Sequence, residues 1–378
     1  MRFIKSSFVF FSTLLILSLL SACAHEKPVY RPILTEGFAD SIERWNSHHP
    51  DREVDQYDKT QILAIADNLL LMQRNNGGWP AHTNPFRQLS GDEKLQLLKD
   101  QNAADASFID HNVFPQIYYL SHVYLQTGDV RYRNAARRAL RLTINAQLYN
   151  GGWTDRAIVS TKLDGPHLSV DTRVTLNALV FLRKVASGSM PYGYISFETR
   201  RKAADAVRKG DALLLRLQQA HNSRASIWAS AYQLETNLPV PGRGEHLAGL
   251  NTPLSVEISR YFMKINRPPV EVKRAVQGAY NWFVSNTLQR WQIRYRDQQE
   301  NNNVLEPPRS EMKLPLKPMW ALRYDLKTSE PQLACASINA ATNWLEHSNE
   351  IGDWPIDLLG EEYSNWRTQN IQQDIPTL

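Results

Sequence analysis

Apolar residues recur at helical spacing along most of the chain. Ile62, Ile65, Leu69 and Met72 share one face of the segment Lys59 to Arg74. With little two-residue alternation nearby, the segment reads as an amphipathic helix. Two further arms follow, Phe108 to Gln126 and Val130 to Leu148, separated by Thr127-Gly128-Asp129 as stop and N-cap. Pro115 falls in the first turn of the first arm or kinks it. The plan repeats as Thr172 to Ala186 with Glu198 to Ala220, and as Pro253 to Ile265 with Val270 to Leu288, where Arg267-Pro-Pro269 makes the break. Few segments read as strands, so the pattern predicts an all-α fold of helical hairpins. Long loops at 149–170, 221–251 and 290–331 are where such a scaffold places its chemistry.

The loops carry an internal repeat. Gln73-Arg-Asn-Asn-Gly-Gly-Trp79-Pro80 returns as Gln147-Leu-Tyr-Asn-Gly-Gly-Trp153-Thr154, 74 residues later, each copy ending a helical segment. Repeated helix-then-loop units of this kind predict hairpins set around a common axis, an α/α toroid. The glycines let the backbone leave each helix in a left-handed conformation, and the tryptophan covers the helix end. Trp79, Trp153, Trp228 and Trp320 could equally stack on sugar rings.

The chain opens with Arg2 and Lys5 before an apolar core from Phe8 to Leu20 and the motif Leu20-Ser-Ala-Cys23. That is the layout of a bacterial lipoprotein signal over residues 1–22, with Cys23 as the lipidated residue. The apolar run is short for a membrane-spanning helix. Ala24 and His25 follow in place of an aspartate retention signal, so the outer membrane is the expected address. Cys335 is then the other thiol, in an apolar setting, and no disulfide within the chain is available. Residues 23–58 read as lipidated N-terminus and tether, and 59–378 as one domain without a low-complexity linker, expected to act as a monomer. Without the leader the balance is 41 basic against 38 acidic side chains, which suits an acidic polysaccharide or the envelope surface, and no nucleic-acid module is present.

Several motifs together resemble one family. Gln73 to Pro80, Ile109-Asp110 opening a helix, the second Asn-Gly-Gly-Trp153, and Trp228-x-x-x-Tyr232-x-x-x-Thr236-x-x-Pro239-x-x-x-Arg243 are similar to family 10 polysaccharide lyases, the pectate lyases. So are Leu254-Ser-Val256, Ala275-Val-x-Gly-Ala279 with Trp282-Phe283, and Pro318-x-Trp320-Ala with Tyr324-Asp325. The resemblance implies an (α/α)3 toroid and β-elimination on galacturonate, with calcium polarising the substrate carboxylate and an arginine as base. By position Arg243 matches that arginine, and Asp110 the calcium-binding aspartate. The guanidinium is ordinarily protonated, so Arg243 is either the base or a charge clamp.

The chain also departs from the pattern. His111 stands where the family has asparagine, Asp171-Thr-Arg173 where it has Asn-Asp-Asp, Ala81-His82 where it has Lys-Asn, and His246 where it has glutamate, unless Glu245 substitutes. Gln332-Leu-Ala-Cys335 replaces its Gly-Arg-Asp-Gly. Imidazole suits transition metals better than calcium and also serves as a base near neutral pH. One expectation is therefore a cleft rebuilt around His82, His111 and His246, either for a metal such as zinc or for metal-free elimination with a tyrosine as acid. Asp110, His111 and Asp171 are the expected metal ligands. Trp79, His82, Arg173, Trp228, Tyr232, Glu245, His246 and Arg323 are the expected substrate-binding residues. The sequence thus points to a surface-tethered lyase acting on an acidic, uronate-containing polysaccharide. The competing expectation is a non-catalytic lipoprotein that binds such a polymer.

Overall fold

The computed structural model describes residues 29–50, 54–159, 169–221, 224–288, 318–332 and 350–371. Cys23, the leader and Cys335 lie outside the described residues. The helices are α1 (Ala39–His48), α2 (Ile62–Met72), α3 (Gly91–Lys99), α4 (Phe114–Thr127), α5 (Val130–Asn145), α6 (Thr172–Ser187), α7 (Phe197–Leu217), α8 (Thr252–Met263), α9 (Val270–Ser285) and α10 (Tyr363–Asn370). None is long and apolar enough to cross a membrane, among the described residues.

The expected hairpins form as α4–α5, α6–α7 and α8–α9. Their first arms make one layer, in which α2 packs on α4 and α6 on α8. Their second arms make another, in which α5 packs on α7 and α7 on α9. The predicted stripe Ile62, Ile65, Leu69 and Met72 is wholly buried in the core between them. Gly128 closes α4 in a left-handed conformation, and Asp129 caps α5 by accepting from the Arg131 N–H.

The repeat is structural. Gln73 Nε2 donates to Gly77 O and to Ala135 O on α5; Gln147 Nε2 donates to Gly151 O and to Ala206 O on α7. A third copy that lacks the Gly-Gly-Trp signature uses Gln218, which reaches Ser226 O and Ala275 O on α9. Each glutamine thus bolts a loop to the outer helix of the next hairpin. The glycine is needed because the backbones touch: at Gly151, with φ +105°, an added Cβ would lie 2.5 Å from Lys209 O.

Two elements differ from the expectation. The segment read as tether contains α1, held by buried Ser41 and Trp45. Helix α3 is set by a capping box, Ser90 with Glu93, and buries none of its residues, so no apolar periodicity announces it. Small open sheets link the loops: β1 (Ser169–Asp171), β4 (Ala231–Gln233) and β5 (Pro239–Val240) are antiparallel, with Val170 opposite Tyr232 and Tyr232 opposite Pro239. The remaining strands, β2 (Ala220–His221) with β3 (Arg224–Ala225), β6 (Leu250–Asn251) with β8 (Arg323–Tyr324), and β7 (Trp320–Ala321) with β9 (Ile351–Gly352), are two-residue pairs.

Candidate active site

The antiparallel ladder sets the site. Strand β1 runs directly into α6, while β4 and β5 carry the chain toward Arg243, so the ladder brings Arg243 beside the start of α6. The N-terminal ends of α6 and α8 and the turn before α4 meet the same loop around a cavity of about 270 Å³. Its lining includes Asp110 and His111 before α4, Asp171 and Arg173 at α6, Asn251 and Leu254 at α8, Gly242, Arg243 and Glu245 from the loop, and Asp40 from α1. Helix N-termini present unpaired N–H groups and a partial positive charge, which favour an anion.

Asp110 is the hub. Its Oδ2 lies 3.0 Å from His82 Nε2, and the half-exposed guanidiniums of Arg44 and Arg243 each stand 4.0 Å from it, on Oδ2 and Oδ1 respectively. His111 Nδ1 is 2.8 Å from Asp40 Oδ2. The backbone here is held in an unusual state: His82, Asp110, His111 and Val113 have φ of 58°, 51°, 57° and 80°. Left-handed backbone costs a non-glycine residue about 1–2 kcal/mol. Buried Asn112 holds the turn, donating from Nδ2 to Trp79 O and Ser107 O at 2.8 Å. It was not among the expected site residues, and it acts on the site by tying the Asp110 turn to the first repeat loop.

Glu245 shapes the Arg243 loop from within. It accepts from Ser230 Oγ at 2.7 Å and from the Gly242 N–H at 2.9 Å, and Arg323 Nη1 lies 3.8 Å behind it. Arg173 lines the cavity with both Glu257 oxygens 2.6 Å from its Nη1. Asp171 accepts from the Val174 N–H as the α6 N-cap. Burial pushes its carboxyl above the usual range, reinforced by the charge of Asp155 and opposed by the cap.

The aromatic expectations need correction. Trp79, Trp228 and Tyr232 are fully buried and do not line the cavity. Their polar atoms close helix ends: Trp79 Nε1 donates to Leu69 O, Trp228 Nε1 to Leu214 O, and Tyr232 Oη to Leu217 O. Trp153 and Trp320 do the same for Thr143 O and Phe283 O. All are plugs of the fold rather than stacking platforms. His246 is exposed beside the cavity loop and is not part of its lining, and Arg323 reaches the cavity only through Glu245.

The metal expectation is overturned. Among the described residues no three His, Cys, Asp or Glu side chains are grouped to hold an ion. His82 is spent on Asp110, His111 on Asp40, and His246 stands apart, so the three imidazoles do not converge. Calcium takes six to eight oxygens, and among the described residues no three carboxylates are grouped to begin such a shell. The carboxylates face N–H groups and cations instead: Asp110 lies among His82, Arg44 and Arg243, and Glu245 is closed into its own turn.

Residues 73–351 match the family model for pectic acid lyase, well over half of the chain. The chain belongs to the pectic acid lyase family. Two solved structures share its fold. One is a point mutant of a family 10 polysaccharide lyase from Cellvibrio cellulosa in complex with trigalacturonic acid, with a TM-score of 0.59 and 18% identity over 90% of this chain and 99% of that one. The other is the family 10 polysaccharide lyase from the same organism, with a TM-score of 0.58 and 18% identity over 89% and 98%. The comparison with curated proteins gives no match. In this member of the pectic acid lyase family, the aspartate before α4 stands between the guanidiniums of Arg44 and Arg243.

Proposed function

We propose that the protein is a polysaccharide lyase that cleaves an acidic, uronate-containing polymer by β-elimination. The observation that carries this reading is one cavity in which Arg243 and Arg173 stand with the N-termini of α6 and α8. Membership of the pectic acid lyase family and the likeness to lyase structures support the same reading, and with it the (α/α)3 toroid for the stacked hairpins. Elimination passes the proton on C5, next to the uronate carboxylate, to a base, a role open to the His111 imidazole in the cavity lining; the C4–O bond breaks, its oxygen takes a proton from water, and a C4–C5 double bond is left. Negative charge builds on the carboxylate as the proton leaves. A guanidinium keeps its proton at ordinary pH, so Arg243 is cast as the clamp that stabilises this developing charge, in the manner of an oxyanion site. Asp110 and Glu245 hold that cation in place, one by charge and the other through the turn.

The second reading, binding without cutting, is favoured by one observation: the carboxylates at the cavity are already engaged by protein cations and N–H groups. Both readings place the chain in the bacterial envelope through lipid on Cys23, supported by Leu20-Ser-Ala-Cys23. The separating experiment follows ultraviolet absorbance of unsaturated uronides released from a panel of acidic polysaccharides. Release supports the lyase. Retention of the polymer with no release supports the binding protein.

A further inference from the structure

Helix α1 precedes the residues matched by the family model, and its Asp40 lines the cavity. Residues four apart on a helix lie one above another. Along α1 this stripe is Asp40, Arg44 and His48. Asp40 holds His111 at 2.8 Å, Arg44 stands 4.0 Å from Asp110, and His48 stacks on His82 with ring centroids 5.3 Å apart. The adjacent stripe anchors the helix: Ser41 Oγ donates to Thr83 O and accepts from the Thr83 N–H, and the Arg87 guanidinium lies 4.5 Å over the Trp45 ring. The helix is therefore fixed in place, with its polar face on the site.

Arg44 and Arg243 sit on different oxygens of one carboxylate, each at 4.0 Å, beyond hydrogen-bond reach. Their side chains are 59% and 50% exposed, so their donors remain open to a ligand. Two guanidiniums flank one Asp110 carboxylate, one on each oxygen, without hydrogen-bonding to it. Asp40, on the same stripe as Arg44, is taken up by His111. A ligand carboxylate offers acceptors to such forks, the geometry guanidinium serves best.

We propose that α1 completes the carboxylate subsite of the cleft, in which Arg44 joins Arg243 in gripping the carboxylate of the uronate unit that reacts. The proposal rests on the reading of the cleft as a uronate site. It makes Arg44 a specificity-determining residue supplied by a segment that the hydrophobic pattern shows only as a tether.

The test is calorimetric binding by the full-length chain of oligogalacturonates and of the same oligomers with their carboxyls reduced to alcohols. A charge-assisted hydrogen bond contributes enough that Arg44→Gln should weaken the acidic oligomer about tenfold or more. Binding of the reduced oligomer should stay unchanged, and Arg44→Lys should fall between. Lys94→Gln, the same loss of charge on α3, which contributes nothing to the cavity lining, should match the parent. Equal affinity of Arg44→Gln and the parent for the acidic oligomer would overturn the subsite and leave the lyase reading intact. Equal weakening of acidic and reduced oligomers would also overturn it, because it would mean general disturbance. A parent that binds neither oligomer would remove the uronate reading and the subsite together.

Discussion

Replacing Glu245 by alanine should open the turn that carries Arg243. The carboxylate accepts two hydrogen bonds, from Ser230 Oγ at 2.7 Å and from the Gly242 N–H at 2.9 Å, and faces Arg323 at 3.8 Å. A hydrogen bond to a charged group contributes about 1.5–3 kcal/mol net. The partly exposed ion pair adds at most ~1 kcal/mol. Water takes over part of what the two donors lose, which leaves a loss of about 3 kcal/mol for the closed turn. Tenfold in rate corresponds to about 1.4 kcal/mol, so kcat/KM should fall by about two orders of magnitude if the closed turn is the competent one. Glu245→Gln keeps one acceptor oxygen but turns an amide N–H₂ toward the other donor, so it should lose about one bond and about tenfold. The assay is the initial rate of unsaturated uronide formation, with a thermal melt beside it. Because only a surface loop is freed, the melt should move little. An alanine variant within twofold of the parent rate would show that Glu245 does not hold Arg243 in its working position.

Two further predictions concern the scaffold and the buried acid. Gly151→Ala should destabilise the fold by about 3 kcal/mol, from left-handed strain plus overpacking against Lys209 O, whereas Gly128→Ala, where an added Cβ meets nothing within 4 Å, should lose only about 1–2 kcal/mol; denaturant melts compare the two, and equal losses would contradict the close-approach argument. Asp171→Asn should stabilise the protein at neutral pH. Its carboxyl is raised above 3.8 in the folded state, so the parent's unfolded chain ionises first as pH rises; the penalty on folding grows from that point and stays constant once the folded carboxyl has also ionised. The gain should vanish well below pH 3.8, the unperturbed value, and a gain independent of pH would contradict the desolvation account.

Much of the scaffold was legible because its constraints are local. Hairpin arms show in spacing, Gly128-Asp129 marks a turn by composition, and the Gln-to-Trp repeat exposes two of the three glutamine bolts. The third, Gln218, was hidden because its loop meets α9 without the glycine pair. Helix α1 was not legible because a short amphipathic helix with only Ser41 and Trp45 buried has no apolar stripe. Of the site, Arg243 and Asp110 were marked by family motifs and Asp171 and Arg173 as departures from them, while their meeting around one cavity was not legible, because it depends on how the loops pack. The histidine metal centre failed because matching loop positions do not fix side-chain direction: each imidazole at the cavity met a carboxylate of its own. The helix-end role of the tryptophans was legible from the repeat, but Trp79 and Trp228 were also expected to bind substrate, since a large aromatic with one N–H donor serves a helix end as well as it serves a sugar.

The central claim is that an Arg243-centred cleft eliminates across a uronate linkage without calling on a metal that its donors do not fit. The most direct measurement is kcat/KM for unsaturated uronide release by the parent and by Arg243→Ala, on the best polymer of the panel, with chelator throughout. The account predicts release by the parent and a fall of at least about a hundredfold in the variant. Undiminished release by Arg243→Ala, or a parent whose activity disappears with chelator and returns with a divalent cation, would contradict it.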